Sequence, residues 1–160
     1  MDVTGDELAG VVDLFGGLTR EELGTGIAEL AFKRGEEDDA TAFEEPIEEA
    51  IATYHLLEID RNDVEAAVDA PLLVVGPVAF PALPEGATDL LYILDIKERS
   101  VDRDTASQQA VERFRADTAR ALDAADRARV ETLLDVSYEL EAWGSVDLSD
   151  VRERLREPQC

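Results

Sequence analysis

The acidic charge of this chain constrains what it can fold into more than any other feature of its sequence. It has 38 Asp and Glu residues against 15 Lys and Arg residues, for a formal net charge of −23. Self-repulsion of this size destabilises a compact state in dilute buffer. Multimolar salt shortens the Debye length to about 3 Å or less and screens the repulsion. The composition therefore predicts a protein from the cytoplasm of a halophile that accumulates salt, and the alternative is an ordinary acidic protein.

The distribution of charge and apolar residues along the chain supports a folded cytoplasmic protein. The acidic residues are spread along the whole length, which disfavours an acidic tail, and 45% of the residues are hydrophobic. The segment before residue 7 lacks the positive flank of a signal peptide, and no apolar run approaches the roughly 20 residues that span a bilayer. The one cysteine, Cys160, excludes an intramolecular disulfide and a thiolate metal site.

Local signals in the first half predict three helices followed by two strands. Capping boxes at Thr4 to Glu7 and Thr19 to Glu22 precede apolar residues at helical spacing, and Pro46 suits the first turn of a third helix. Residues 54–59 and 71–75 have strand character. The prolines at 77, 81 and 84 predict a loop after the second strand.

The second half reads as helical. We expect a short helix at 89–96, where the apolar run also suits a strand, and longer helices at 102–123 and 126–142. The stretch beginning at Asp147 is typical of the start of a final helix. The predicted fold is mainly α with a small β-ribbon, with one part over residues 1–84 and a helical extension over residues 85–160 packed on it.

The order of these elements resembles a winged helix-turn-helix. Three short helices and a two-stranded ribbon follow one another between residue 4 and about residue 80. The stretch LTREEL at 18–23 is similar to the start of the second helix of such domains. The resemblance implies that the second and third helices form the helix-turn-helix and that the ribbon is the wing.

The chain also resembles an uncharacterised haloarchaeal family of small acidic proteins. The segments that carry this likeness are DELAGVVDLFG at 6–16, AFKRG at 31–35, GPVAFP at 76–81, Trp143, and VDLSDVR at 146–152. This resemblance implies a haloarchaeal origin and brings no activity with it.

The charge pattern disfavours direct reading of nucleic acid. The winged-helix resemblance would place residues 44–54 in the major groove, yet they contain four Glu and no Lys or Arg. Residues 1–96 hold 23 acids and 4 bases, and residues 97–160 hold 15 acids and 11 bases. Phosphate contacts need cations. A protein-binding module is therefore favoured, and the alternative is a dimeric DNA-binding regulator that contacts phosphate through C-terminal arginines or the wing.

Two sets of residues are candidates for contacts with a protein partner or a second copy of the chain. The apolar candidates are Val74, Val75, Val78, Phe80, Leu83 and Trp143. The basic candidates are Arg113, Arg120, Arg127, Arg152 and Arg156. The alternative for the apolar segment is burial beneath the C-terminal helices, and for Trp143 it is packing at the junction of the two parts. The alternative for the arginines is pairing with neighbouring acids.

No motif predicts catalysis, a cofactor or a metal site. The chain lacks a P-loop, a GxGxxG and a GxSxG, and His55, the only histidine, is interpreted as a packing residue. The acidic stretch 36–39 could hold Mg²⁺ or Ca²⁺, but a solvated loop is favoured. An enzyme without a familiar motif is the third alternative. The sequence thus predicts a non-enzymatic interaction module, a regulator or adaptor in transcription by analogy of fold.

Overall fold

Two compact units make up the chain, Met1–Val101 and Asp102–Cys160. The computed structural model describes residues 1–37, 39–60, 62 and 68–157, with Ala40 described in its backbone alone. Within these residues the structure is mainly helical with one two-stranded antiparallel sheet, which confirms the predicted fold class. The boundary that the sequence suggests at residue 84 lies inside the first unit. Cys160 lies outside the described residues.

The first unit contains four helices, two strands and two short 3₁₀ turns within the described residues. The helices are α1 (Gly5–Phe15), α2 (Arg20–Lys33), α3 (Glu44–Ala52) and α4 (Leu90–Ile93). The strands are β1 (Leu56–Ile59) and β2 (Leu72–Val75), and 3₁₀ turns at Ala40–Phe43 and Ala87–Asp89 precede α3 and α4. The apolar run after residue 89 is therefore a short helix and not a strand.

Both predicted capping boxes are present. The Thr4 hydroxyl accepts from the Glu7 N–H at 3.1 Å, and the Glu7 carboxylate accepts from the Thr4 N–H at 3.1 Å. Thr19 and Glu22 make the same reciprocal pair at the start of α2. Each box satisfies backbone donors that a helix leaves unpaired at its first turn. These local bonds explain why both helix starts could be read from the sequence.

The sheet and three helices enclose the core of the first unit. β1 pairs with β2 in the register Leu56 to Val75, and Leu18, between α1 and α2, makes an antiparallel bridge to Leu73. The fully buried side chains include Leu8, Val11, Val12, Phe15, Leu18, Leu23, Ile27, Leu56 and Leu73. The core therefore lies among α1, α2, α3 and one face of the ribbon.

Arg99 holds the end of the first unit against α1 and α2. Its backbone N–H donates to the Phe15 carbonyl at 2.7 Å. Its guanidinium donates to both Glu22 carboxylate oxygens, at 2.6 and 3.0 Å, and to the Gly17 carbonyl at 3.2 Å. Bidentate pairing of this kind is the stronger form of an Arg–carboxylate contact. The chain therefore stays attached to this unit well beyond the prolines at 81 and 84.

We expect Glu22→Gln to cost about 1 kcal/mol at neutral pH and to weaken acid sensitivity, since the pair is partly exposed. Burial opposes ionisation of Glu22, but the Arg99 guanidinium and the Thr19 donors outweigh it and lower the pKa of the carboxyl below its usual 4.5. Such a group stabilises the fold above its unfolded-state pKa, and the contribution is lost as the pH falls through its folded-state pKa.

The measurement is the free energy of unfolding in denaturant at constant salt, followed from about pH 6 down to about pH 3. Wild type should lose stability more steeply than E22Q below the usual pKa of 4.5. Gln preserves the capping box, and Glu21→Gln, at the exposed neighbouring position, is the matched control. Parallel curves for wild type and E22Q would contradict this role of the charge.

The second unit is built from three helices that pack on one another: α5 (Arg103–Asp123), α6 (Arg127–Gly144) and α7 (Ser149–Arg156). Its buried side chains include Phe114, Leu133, Leu140, Leu148, Val151 and Leu155. The Glu141 carboxylate accepts from the Leu148 N–H and from the Arg152 guanidinium, each at 2.6 Å. Because Leu148 is the N-cap of α7, this carboxylate ties α6 to the start of the last helix.

Candidate functional site

The apolar residues that the sequence singles out occupy different environments. Val74 is 7% exposed and belongs to the buried face of β2. Val75 and Val78 are half-buried. Phe80 is 77% exposed and Leu83 is 53% exposed. Val74 and Val75 point to opposite faces of β2, and both faces are largely covered, so the accessible side chains lie in the following loop.

Asp6 fixes the loop that presents Phe80. Its carboxylate oxygen Oδ1 accepts from the Phe80 N–H at 3.0 Å, and its backbone carbonyl accepts from the Ala82 N–H at 2.9 Å. Pro81, between these two donors, has no N–H of its own and cannot extend a strand ladder. The N-terminal turn of α1 therefore holds the loop by two bonds.

Exposed apolar side chains are concentrated in one stretch of the first unit. Among the described residues, the large exposed hydrophobic side chains are Phe32, Phe80, Leu83, Leu91, Tyr92, Ile93 and Tyr138. Five of these lie between residues 80 and 93, which we call the apolar segment. Tyr92 is the most exposed of them, at 89%. Large apolar patches on an otherwise polar surface mark sites of contact with other molecules.

Leu91, Tyr92 and Ile93 were missed as candidates from the sequence. They follow Leu90, which is buried, in a helix of four residues. So short a helix can bury only one side, because its four side chains point around the full turn. The sequence signal that could have revealed them is the length of the apolar run. The run is too short to form a helix with one buried face and one polar face, so some of its apolar side chains must be exposed.

An acidic surface covers α3. Glu44, Glu45, Glu48 and Glu49 are all exposed. A cleft of about 430 Å³ beside this helix is lined by Arg20, Glu21, Thr41, Glu44, Ile47 and Glu48. The guanidinium of Arg20 pairs with Glu48 and, at 2.7 Å, with Glu58. Arg20, the basic side chain among the described lining residues, is therefore already paired with two carboxylates.

The basic candidates of the second unit pair with their neighbours. Arg113 and Arg120 contact the Asp117 carboxylate, each at 3.4 Å. Arg152 pairs with Glu141, and its guanidinium carbon lies 4.5 Å from the centre of the Tyr138 ring. Arg156 donates to the Tyr138 hydroxyl, whereas Arg127 is exposed at the start of α6. Four of the five thus take part in contacts within their own unit.

Glu141 and Arg152 stabilise each other's charged forms. The Arg152 guanidinium and the Leu148 N–H lower the pKa of the Glu141 carboxyl, and Glu141 in turn raises the pKa of Arg152.

Trp143 is half-buried. The guanidinium carbon of Arg103 lies 4.5 Å from the centre of the Trp143 ring, and the Arg103 guanidinium donates to the Trp143 carbonyl oxygen at 3.2 Å. A cation over an aromatic face is a stabilising contact within the unit.

His55 is half-buried and has two polar neighbours. Its Nδ1 lies 2.7 Å from the Thr53 hydroxyl, and its Nε2 lies 3.7 Å from Asp6 Oδ1. A hydrolytic site needs a nucleophile free to attack, but the Thr53 hydroxyl donates to the Glu49 carbonyl at 2.9 Å. This arrangement favours the reading of His55 as a packing residue.

The acidic loop offered as a cation site is only partly described. Its residue 38 lies outside the described residues. The Asp39 carboxylate accepts from the Thr41 hydroxyl and N–H, which lowers its pKa. Glu36 pairs with the amino terminus at 3.0 Å. Among the described residues, no three His, Cys, Asp or Glu side chains are grouped so that they could hold a metal ion.

Comparison with known proteins identifies a family to which the chain is similar. The model of a family of unknown function, DUF7109, matches residues 6–159. No curated protein and no solved structure matches the chain. Over the described residues, no helix has both the length and the hydropathy that a membrane crossing requires.

Proposed function

This chain belongs to the DUF7109 family of unknown function, and we propose that it is a non-enzymatic interaction module that binds a protein partner through the apolar segment. The observation that carries the proposal is the exposure of Phe80, Leu83 and Leu91 to Ile93 within one stretch of the first unit. Exposing aromatic and aliphatic side chains to water is unfavourable. Their concentration between residues 80 and 93 therefore supports a surface that a partner covers.

The expected solution conditions favour apolar contacts over charged ones. The net charge of −23 suits a halophilic cytoplasmic protein, in which molar salt screens charges that are fully exposed at the surface and screens partly buried pairs less. Burial of apolar area does not depend on charge. A partner would therefore be held by anchors such as Phe80 and Tyr92, with the acidic shell keeping the rest of the protein soluble.

The order of elements in the first unit supports a regulator or adaptor with a winged-helix-like fold. The order α1, α2, α3, β1, β2 resembles that of a winged helix. The third helix presents four exposed Glu, which would repel phosphate. A role in transcription through protein contacts rests on this analogy of fold alone.

The test is capture of a partner from a haloarchaeal lysate in about 2 M KCl, a concentration at which surface charges are screened, with and without nuclease. We expect a stoichiometric partner that survives nuclease treatment. The double variant Phe80→Ser/Tyr92→Ser should retain less than about a tenth of it, since a buried aromatic anchor is worth 2 kcal/mol or more.

The matched control is Phe32→Ser. Phe32 lies in the same unit and is 73% exposed, but it stands outside the apolar segment. The F32S variant should capture the partner as the wild-type protein does. Equal loss in both variants, or capture of DNA with proteins lost on nuclease treatment, would overturn the proposal, and the second result would favour a DNA-binding regulator.

A further inference from the structure

Asp6 connects the only histidine to the loop that presents Phe80. One oxygen, Asp6 Oδ1, accepts the Phe80 N–H at 3.0 Å and lies 3.7 Å from His55 Nε2. The two groups come from distant parts of the chain, His55 before β1 and Phe80 after β2. Any change at His55 that moves or charges its Nε2 therefore acts on the same oxygen that holds the loop.

The two ring nitrogens of His55 face different oxygens. Nδ1 lies 2.7 Å from the Thr53 hydroxyl, and Nε2 lies 3.7 Å from Asp6 Oδ1. A hydroxyl can donate to or accept from a ring nitrogen, so the Thr53 contact suits either tautomer of the neutral ring. In the protonated ring both nitrogens carry a hydrogen, and a positive charge then lies beside the Asp6 carboxylate.

We propose that His55 is a proton sensor that acts through Asp6 to set how firmly the Phe80 loop is held. Because Phe80 belongs to the apolar segment, this role as a regulator rests on the proposed function. With His55 protonated, Nε2–H draws the Asp6 carboxylate into place and the Phe80 N–H bond is stabilised. With His55 neutral, this support is lost and the loop opens more often. Histidine is suited to such a role because its ordinary titration falls between about pH 5 and pH 8.

The charged groups around the imidazole leave Asp6 as its partner. Among the described acidic side chains, Asp6 is the one with an oxygen within 4.0 Å of a ring nitrogen. On α1, the Glu7 carboxylate is occupied by the Thr4 N–H. On α3, the Glu49 side chain is exposed, and its backbone carbonyl is what Thr53 contacts. The effect of protonation is therefore directed at Asp6.

The experiment is an NMR titration of the whole chain between about pH 5 and pH 8, a range in which aspartates stay ionised. It is done in the lowest KCl concentration that keeps the protein folded. Because His55 is the only histidine, its ring signals report its protonation without assignment of other residues. Amide exchange of Phe80, expressed as a protection factor, reports how firmly the loop is held.

We expect the protection factor of Phe80 to rise about two- to five-fold as His55 becomes protonated, which is the range of a partly exposed ion pair. The Leu73 N–H, bonded to the Leu18 carbonyl at 2.7 Å, should show no such change. Asp6→Asn keeps an oxygen that can accept from Phe80 and removes the charge, so its curve should be flat. Asp13→Asn, at an exposed position on the same helix, should behave as wild type.

A Phe80 protection factor that stays constant through the His55 transition in the wild-type protein would overturn the proposal, and this needs no variant. A rise that persists in D6N would overturn it as well. Because the readout uses no partner, failure of the coupling would leave the capture experiment unaffected. Failure to capture a partner would likewise leave the coupling measurable.

Discussion

Transfer of the protein from about 2 M to about 0.02 M KCl should abolish most of its helical circular dichroism, because the Debye length grows from a few Å to more than 20 Å. The physical reason is the distribution of charge. Repulsion among carboxylates is strongest in the first unit, where α3 alone exposes four Glu side chains. At low salt these charges act on one another over the whole domain. A helical signal of the same size at both salt concentrations would contradict the prediction that the protein is halophilic.

Two matched variants separate repulsive carboxylates from stabilising ones. Glu45 and Glu49 are exposed and lie four residues apart on α3, a spacing at which like charges destabilise a helix. Glu45→Gln/Glu49→Gln should therefore lower the KCl concentration at the midpoint of unfolding. Glu141→Gln should raise it, since Glu141 pairs with Arg152 and with the N-cap of α7. A lower midpoint in both variants, with about twice the shift for the double variant, which removes two charges instead of one, would mean that only total charge matters.

Gly16→Ala should destabilise the first unit by about 2–4 kcal/mol, combining a left-handed backbone with overpacking. Gly16 ends α1 at a φ of +80°, and a Cβ there would overlap the carbonyl oxygen of Arg99. That oxygen belongs to backbone that is fixed by the Arg99 N–H bond to Phe15 and by the Glu22 pair. The obstruction cannot move aside as a flexible side chain would.

Gly35→Ala is the matched control for the cost of placing alanine in a left-handed backbone conformation. Gly35 has a φ of +81°, yet a Cβ there would meet nothing within 4 Å. It should cost only the left-handed penalty of about 1–2 kcal/mol. The measurement is the free energy of unfolding in denaturant at constant high salt. Equal losses for G16A and G35A would show that the approach of Arg99 to α1 does not constrain the fold.

Local structure could be predicted from the sequence because its causes lie within a few residues. The capping boxes at Thr4 and Thr19 join residues three apart, and the apolar spacing of α1 and α2 follows the helical period. β1 and β2 were found from short apolar runs bounded by turn residues. Helices α5 and α6 begin and end close to the predicted bounds for the same reason.

The candidate surface could be predicted only in part. Phe80 and Leu83 were named from the proline-rich loop that carries them, and they are exposed. Val74 was named with them, but it is buried within β2, at 7% exposure. Leu91 to Ile93 were missed, since an apolar run does not show which of its side chains the rest of the fold will cover. Exposure depends on neighbours that are distant in sequence.

The sequence by itself determined the acidic surface, the helical class and the starts of the first two helices, because charge, periodicity and caps act locally. The tertiary structure decided which apolar residues face water and how the loops are anchored. The Arg99 to Glu22 contact joins residues 77 apart and the Asp6 to Phe80 contact joins residues 74 apart. Such pairs form only when the packed core brings the chain back on itself, since no local preference favours them.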